Sequence, residues 1–188
     1  MRKAAMNRRR FLERSGQAAA GAAVVAASGG TTLLMAPDGA WAMTLEALSG
    51  QDGATLLKAL RVIYPHDSLG DQYYAAVVEA LDQDAVANAE TAAMLKDGVA
   101  GLDQAYPMPF AELSEGNQHR ALEAMEDSDF FQAIRAKAIT ALYNNPRVWQ
   151  AFGYEGEAFD EGGYIERGFA DLGWLPDPPP DASPPVEL

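Results

Sequence analysis

The chain holds two histidines and no cysteine, so acid–base or metal chemistry would have to begin at His66 or His119. His66 stands in Tyr64-Pro65-His66-Asp67. A carboxylate directly after an imidazole suits an oriented general base or a metal ligand steadied by its neighbour. The same pair, placed where proline stops a helix, also makes a cap and a hydrogen-bonding turn. Pro65, His66 and Asp67 are therefore read as a structural turn, with catalysis or metal binding at His66-Asp67 kept as the competing reading. His119 lies between Gln118 and Arg120 on a polar helical face. No H-x-E, H-E-x-x-H or D-x-D-x-D-G pattern accompanies either histidine.

The other chemistry-bearing patterns lead to the same place. Without cysteine there is no thiolate nucleophile, disulfide, iron–sulfur ligation or thioether haem attachment. "GVAGLDQ" (98–104) sits inside an Ala-rich helical pattern, and "GDQYY" (70–74) lacks a lysine and spaced glycines. Neither reads as a phosphate or dinucleotide loop. Glu123, Glu126, Asp127 and Asp129 form an acidic cluster that reads as a solvated face. The seven methionines read as core filler. The sequence thus assigns no catalytic, cofactor-binding or metal-binding residue to this chain.

Helices supply the scaffold. Leu56, Leu57, Leu60 and Ile63 share one helical face, with Asp52 as candidate cap and Pro65 as the stop. A second helix is expected over Asp71–Leu81, capped by Asp67 or Ser68. A third is expected over Asp84–Leu102, with Val86, Ala89, Ala93, Leu95, Val99 and Leu102 as its stripe. Pro107 and Pro109 break the pattern. Ser114 precedes a fourth helix, Glu115–Met125. Ser128 precedes a fifth, Asp129–Tyr143, with Phe130, Phe131, Ile134, Ile139 and Leu142 as its apolar residues. Asn144-Asn145 ends that helix, and Pro146 opens a short sixth, Pro146–Phe152. No Val/Ile/Thr alternation is long enough to predict a strand. The expectation is an all-α fold, an irregular helical bundle of five or six helices with a Gly- and aromatic-rich extended C-terminal segment.

Charge is unevenly spread. The chain has 14 Lys+Arg and 27 Asp+Glu, a net of −13. Six of the basic residues and two of the acids precede Met43, leaving 8 against 25, or −17, for the remainder. Such a body repels phosphate backbones, which argues against nucleic-acid binding.

The N-terminal 42 residues read as an export signal: a basic segment, an uncharged stretch from Ala18 to Met35, and Ala40-Trp41-Ala42 as an A-x-A cleavage site. The uncharged stretch is too rich in Ala, Gly, Ser and Thr for a membrane anchor. Asn7-Arg8-Arg9-Arg10-Phe11-Leu12 resembles the twin-arginine signal, with Arg8, Arg9, Phe11 and Leu12 as its recognition residues and Glu13 departing from the usual lysine. That resemblance implies export of an already folded protein, either because a cofactor or because a partner is bound before translocation.

The segments after the helices change character. Residues 153–176 combine glycine with aromatics, and such a segment needs a surface to lie on. Residues 177–188 are proline-rich and read as a solvated polyproline-like tail. The domain layout expected is 1–42 signal, 43–152 helical domain, 153–176 interaction segment and 177–188 tail.

Three stretches, "VIYPHDSLGDQYYAAVVEALD" (62–82), "AIRAKAITALYNNPRVWQAFGYEG" (133–156) and "GGYIERGFADLGWLP" (162–176), together resemble the gluconate 2-dehydrogenase subunit 3 family. These are small subunits of bacterial flavin-dependent sugar and polyol dehydrogenases. The resemblance implies a non-catalytic chain without its own cofactor. FAD belongs to a large partner subunit, and haem c to a membrane-bound cytochrome subunit. The small subunit aids maturation of the large one and carries it through the twin-arginine translocase into the periplasm. Trp149, Tyr154, Tyr164, Phe169 and Trp174 are the candidate partner anchors, since aromatics dominate interface hot spots. For Trp149, closing the chain's own core is an equal alternative. A stand-alone hydrolytic or metal enzyme at His66-Asp67, or a binding or chaperone-like protein, remains the competing class.

Overall fold

The structure, a computed structural model, describes residues 23–28, 31–36, 42–159 and 162–163. Arg8, Arg9, Phe11, Leu12, Ala40, Tyr164, Phe169, Trp174 and the proline-rich tail lie outside the described residues. The chain divides into two units, Met1–Gly153 and Tyr154–Leu188.

The first unit is mostly helical, as its periodicity predicts. Its elements run β1 (Ala23–Ser28), β2 (Thr31–Met35), β3 (Ala42–Leu45), α1 (Gly50–Ile63), α2 (Asp71–Ala87), α3 (Ala89–Gln104), a 3-10 turn (Phe110–Glu112), α4 (Glu115–Glu123), α5 (Asp129–Tyr143) and α6 (Pro146–Phe152). Helix α2 is central and packs against α1, α3, α5 and β3. Its Tyr74, Val77, Val78 and Leu81 are buried, together with Leu56 and Leu60 of α1, Leu95 and Leu102 of α3, and Ile134 and Leu142 of α5.

Helix starts follow local capping chemistry, with corrections to the expected caps. Ser49, not Asp52, is the N-cap of α1. Its hydroxyl accepts from Asp52 N at 3.1 Å while the Asp52 carboxylate accepts from Ser49 N at 2.8 Å, a reciprocal box that satisfies two otherwise orphaned donors. Gly70 precedes α2, so neither Asp67 nor Ser68 caps it. Helix α2 runs past the expected boundary to Ala87. The break falls at Asn88, whose Oδ1 accepts from Glu90 N and Thr91 N at 2.8 and 3.2 Å. An asparagine amide competes with the backbone in this way wherever a helix can restart. Ser128 caps α5 through Phe131 N, and Asn145 caps α6 through Arg147 N with Pro146 in the first turn. Gly153 closes α6 at φ 74°, a left-handed position suited to glycine. Four residues of the expected apolar stripes are exposed, Ala89 and Ala93 together with Val86 at 55% and Ile139 at 43%. Each falls on the outer side of its helix.

Strands are the larger correction. Part of the uncharged N-terminal stretch forms β1 and β2, which join β3 in an antiparallel sheet of order β1-β2-β3. Strand β2 pairs with β3 as Thr32↔Leu45, Leu33↔Thr44, Leu34↔Met43 and Met35↔Ala42. Four- and five-residue strands carry too short an alternation to stand out in a sequence. Leu34, Met43 and Leu45 are each fully buried and lie on α1 at Gly53. A Cβ there would come 2.5 Å from Leu45 Cδ1, 3.2 Å from Met43 Cε and 3.6 Å from Leu34 Cδ1.

Two polar networks tie these layers together. The carboxylate of Asp82, 3% exposed on α2, accepts from the backbone N–H groups of Glu46, Ala47 and Leu48 at 2.7, 3.0 and 2.8 Å. Thr44 N donates to Glu79 Oε1 one turn earlier at 2.8 Å. The second network centres on Asp103, whose Oδ1 accepts from Phe110 N at 3.0 Å and from the buried Thr55 hydroxyl at 3.5 Å. Buried Gln118 donates to Phe110 O at 3.0 Å. Among the described residues no buried side-chain polar atom lacks a partner, so the core is fully satisfied.

Candidate functional site

The richest chemical neighbourhood gathers where the turn after α1 meets the end of α5 and the start of α6. Pro65 stops α1, and the chain doubles back through Leu69 N donating to His66 O at 3.1 Å. The buried Tyr74 of α2 organises this turn. Its hydroxyl donates to Tyr64 O at 2.5 Å and accepts from His66 N at 3.3 Å. The Arg61 guanidinium lies 4.8 Å over the Tyr74 ring, donates to Leu69 O at 2.6 Å and sits 3.5 Å from the Asp71 carboxylate. A cation over a ring, a carbonyl and a carboxylate together hold the turn from below.

From the other side comes Tyr143, the last residue of α5. Its hydroxyl and His66 Nε2 are 2.5 Å apart, with donor and acceptor set by the tautomer. Its ring meets Tyr64 edge-on at 5.8 Å and His66 edge-on at 5.6 Å, the geometry that aligns ring edges with ring faces. Phe152, at the end of α6, packs 4.9 Å from the His66 ring. The Trp149 indole N–H donates to Tyr143 O, fixing α6 against the end of α5. The Tyr64 hydroxyl donates to Arg135 O at 3.3 Å.

Burial is the main electrostatic influence here. It pushes the Tyr64, Tyr74 and Tyr143 phenols above their ordinary value. Arg135 partly offsets this at Tyr64, and the His66 N–H and Arg61 partly offset it at Tyr74. At Tyr143 the two neighbouring phenols push in the same direction as burial. These hydroxyls are neutral hydrogen-bonding groups at physiological pH, not nucleophiles.

The arrangement joins two stretches far apart in sequence, residues 61–74 and 135–152. It brings together Tyr64, His66, Tyr143, Trp149 and Phe152 at a half-exposed aromatic surface. Phe152 is 43% exposed. Pro65 and Asp67 are exposed in the turn itself, and the His66 ring nitrogen that is paired goes to Tyr143 rather than to Asp67. His119 is exposed on α4, a different element. Glu123, Glu126, Asp127 and Asp129 are likewise exposed. Among the described residues no group of three or more His, Asp or Glu is placed to hold a metal ion, and no helix is long and apolar enough to cross a membrane.

Sequence reasoning named Trp149 and the Pro65–Asp67 turn but missed Tyr64, Tyr143 and Phe152, which complete the surface. The missed signal was aromatic residues at helix ends, where a stripe argument places them in the core. In the second unit, Tyr154 and Phe159 are 47% and 87% exposed, and Gly156, Gly162 and Gly163 adopt positive φ, the conformations glycine reaches without strain.

No protein-family profile, curated protein or solved structure matches this chain.

Proposed function

We propose that this chain is the non-catalytic small subunit of a periplasmic FAD-dependent sugar, polyol or sugar-acid dehydrogenase complex. It binds the folded large subunit, supports its maturation and carries it out by the twin-arginine route. The observation that supports this reading is the aromatic surface around Tyr143. The two stretches bearing the family-like motifs of the first unit meet there, and Phe152 is left 43% exposed at its edge. An exposed ring at the edge of part-buried ones, beside a Tyr hydroxyl and a His nitrogen, suits a protein-binding hot spot.

The chemistry would reside in the partner. FAD bound to the large subunit supplies hydride acceptance, and a membrane-bound cytochrome subunit with haem c would pass electrons onward. This chain's residues contribute surface and address. Tyr64, His66, Tyr143 and Phe152 present the docking face, and Trp149 holds α6 in place. Arg8, Arg9, Phe11 and Leu12 would be read by the translocase, and Tyr154, Tyr164, Phe169 and Trp174 would extend the grip. The net charge of −13 argues against a nucleic-acid partner.

The deciding experiment co-expresses the chain with a large FAD-binding dehydrogenase subunit, expected from a neighbouring reading frame. Co-purification of a flavin-containing complex is expected, with both proteins in the periplasm. The Arg8→Lys/Arg9→Lys double variant should hold both in the cytoplasm. A flavoprotein that still reaches the periplasm would overturn the carrier role.

A further inference from the structure

Met43 begins where an A-x-A site would release the chain from its leader, yet it is the second residue of β3 and fully buried. Its neighbour Ala42 pairs with Met35, and Met43 itself pairs with Leu34. The bond between them therefore lies inside a paired strand. Strand β3 is also held along its other edge. The Thr44 amide goes to Glu79, and the three amides after Leu45 go to the buried Asp82. Strand β2 is a built part of this corner, because Leu34 is 0% exposed. Gly53 leaves the room over α1 into which Leu45, Met43 and Leu34 fit.

We propose that Thr31–Met35 is a permanent strand of the folded domain. The Ala42–Met43 bond then survives in the mature protein, and any removal of the leader falls before Thr31. A peptidase needs its scissile bond in an open, extended segment, and cleavage of a folded chain samples only the opened population. Opening here would strip β2 from β3 and draw Met43 out of the core. Because the twin-arginine route delivers proteins already folded, the peptidase would meet the bond in this closed state. The end of the uncharged leader stretch thereby has two uses, as part of the address and as part of the core. The encounter with a peptidase rests on the export reading above; the strand's structural role does not.

Two measurements on the full chain test this. Intact-mass analysis of the chain recovered from the periplasm should give an N-terminus at or before Thr31; any N-terminus from Thr32 to Met43 overturns the proposal. Thermal unfolding of Leu34→Ser and Leu33→Ser supplies the second arm. Both changes lower leader hydrophobicity equally, but only Leu34 is fully buried. Leu34→Ser should lower the Tm by about 5–10 °C and Leu33→Ser by less than about 3 °C. Equal shifts overturn the proposal. If no chain reaches the periplasm, the export reading fails and the leucine pair alone decides this one.

Discussion

The sheet corner and the aromatic surface are both built around α2, and they use opposite means. At the corner, Leu34, Met43 and Leu45 are sealed against a glycine and a buried carboxylate satisfies three backbone amides. Around Tyr143, rings meet edge-on at 4.9 to 5.8 Å and leave Phe152 partly in water. The first region turns Leu34, Met43 and Leu45 inward and pairs the amides of residues 46–48. The second keeps apolar area uncovered beside its polar groups. Substitutions should therefore register as lost stability in one region and as lost binding in the other.

The sharpest break of that contrast is Asp82→Ala. It leaves the Glu46, Ala47 and Leu48 amides without an acceptor, and unsatisfied buried donors cost about 1–3 kcal/mol each. With two of the three amides only part-buried, a loss of about 3–4 kcal/mol is expected. Thermal unfolding checks it, with Asp67→Ala as the exposed comparison. Equal Tm values for the two would mean that the corner is not held by its carboxylate.

Close packing gives the next effect. A Cβ at Gly98 of α3 would lie 2.1 Å from Phe130 Cγ and 2.7 Å from its Cβ, atoms near the α5 backbone that cannot swing aside. Gly98→Ala should cost about 2–3 kcal/mol. At Gly53 the nearest obstacle is the methyl end of Leu45, which can move, and alanine's helix propensity returns up to about 1 kcal/mol. Gly53→Ala should therefore cost less, about 1 kcal/mol. Gly116→Ala, with nothing within 4 Å of the added atom, should be neutral or slightly stabilising. Denaturant unfolding of the three variants gives the order directly, and any other order removes the packing argument.

How much of this was legible beforehand follows from the range of each interaction. Caps and periods are local, so α1, α5 and α6 could be read from Leu56-Leu57-Leu60, Ser128 and Asn145-Pro146. Asn88 was passed over because alanine-rich sequence continues on both sides of it and only its side-chain bonds reveal the break. Nothing local marks Asp82 as buried, because its partners lie 34 to 36 residues away. Leu34 read as leader because its burial depends on pairing with Met43 and on an absent side chain at Gly53. At the aromatic surface, His66 was visible as chemistry, but its partner Tyr143 is 77 residues distant. No pattern within one helix could have joined them.

Alkaline pH should loosen the aromatic surface before the corner. The folded-state pKa values of Tyr64, Tyr74 and Tyr143 are raised, first of all by burial. A raised folded value means that the neutral form is the one the fold favours. The associated stability is fully present below the ordinary phenol value of about 10 and is lost as pH climbs through the raised folded values. Unfolding followed from pH 8 to 11 should show stability falling above about pH 10. Tyr143→Phe should reduce that fall, because it removes one phenol and its repulsion with two others. An unchanged slope in Tyr143→Phe would mean that the three phenols do not act as a group.

Phe152→Ala carries the smallest stability effect and bears most directly on what the surface is for. The ring is already 43% exposed and touches the His66 and Tyr143 rings from outside, so truncation should cost less than about 1 kcal/mol of stability. If the surface docks the large subunit, the same change removes an anchor, and hot-spot truncations cost about 2 kcal/mol or more of binding. That corresponds to roughly a thirtyfold weaker complex. Met108, 49% exposed on the loop before the 3-10 turn, is the matched control, and Met108→Ala should leave binding unchanged. The split between a small Tm shift and a large affinity loss is what separates a docking surface from the edge of a core. Equal binding by both variants would leave the rings around Tyr143 as packing, and the grip on the partner would then have to lie in the segment beyond Gly153.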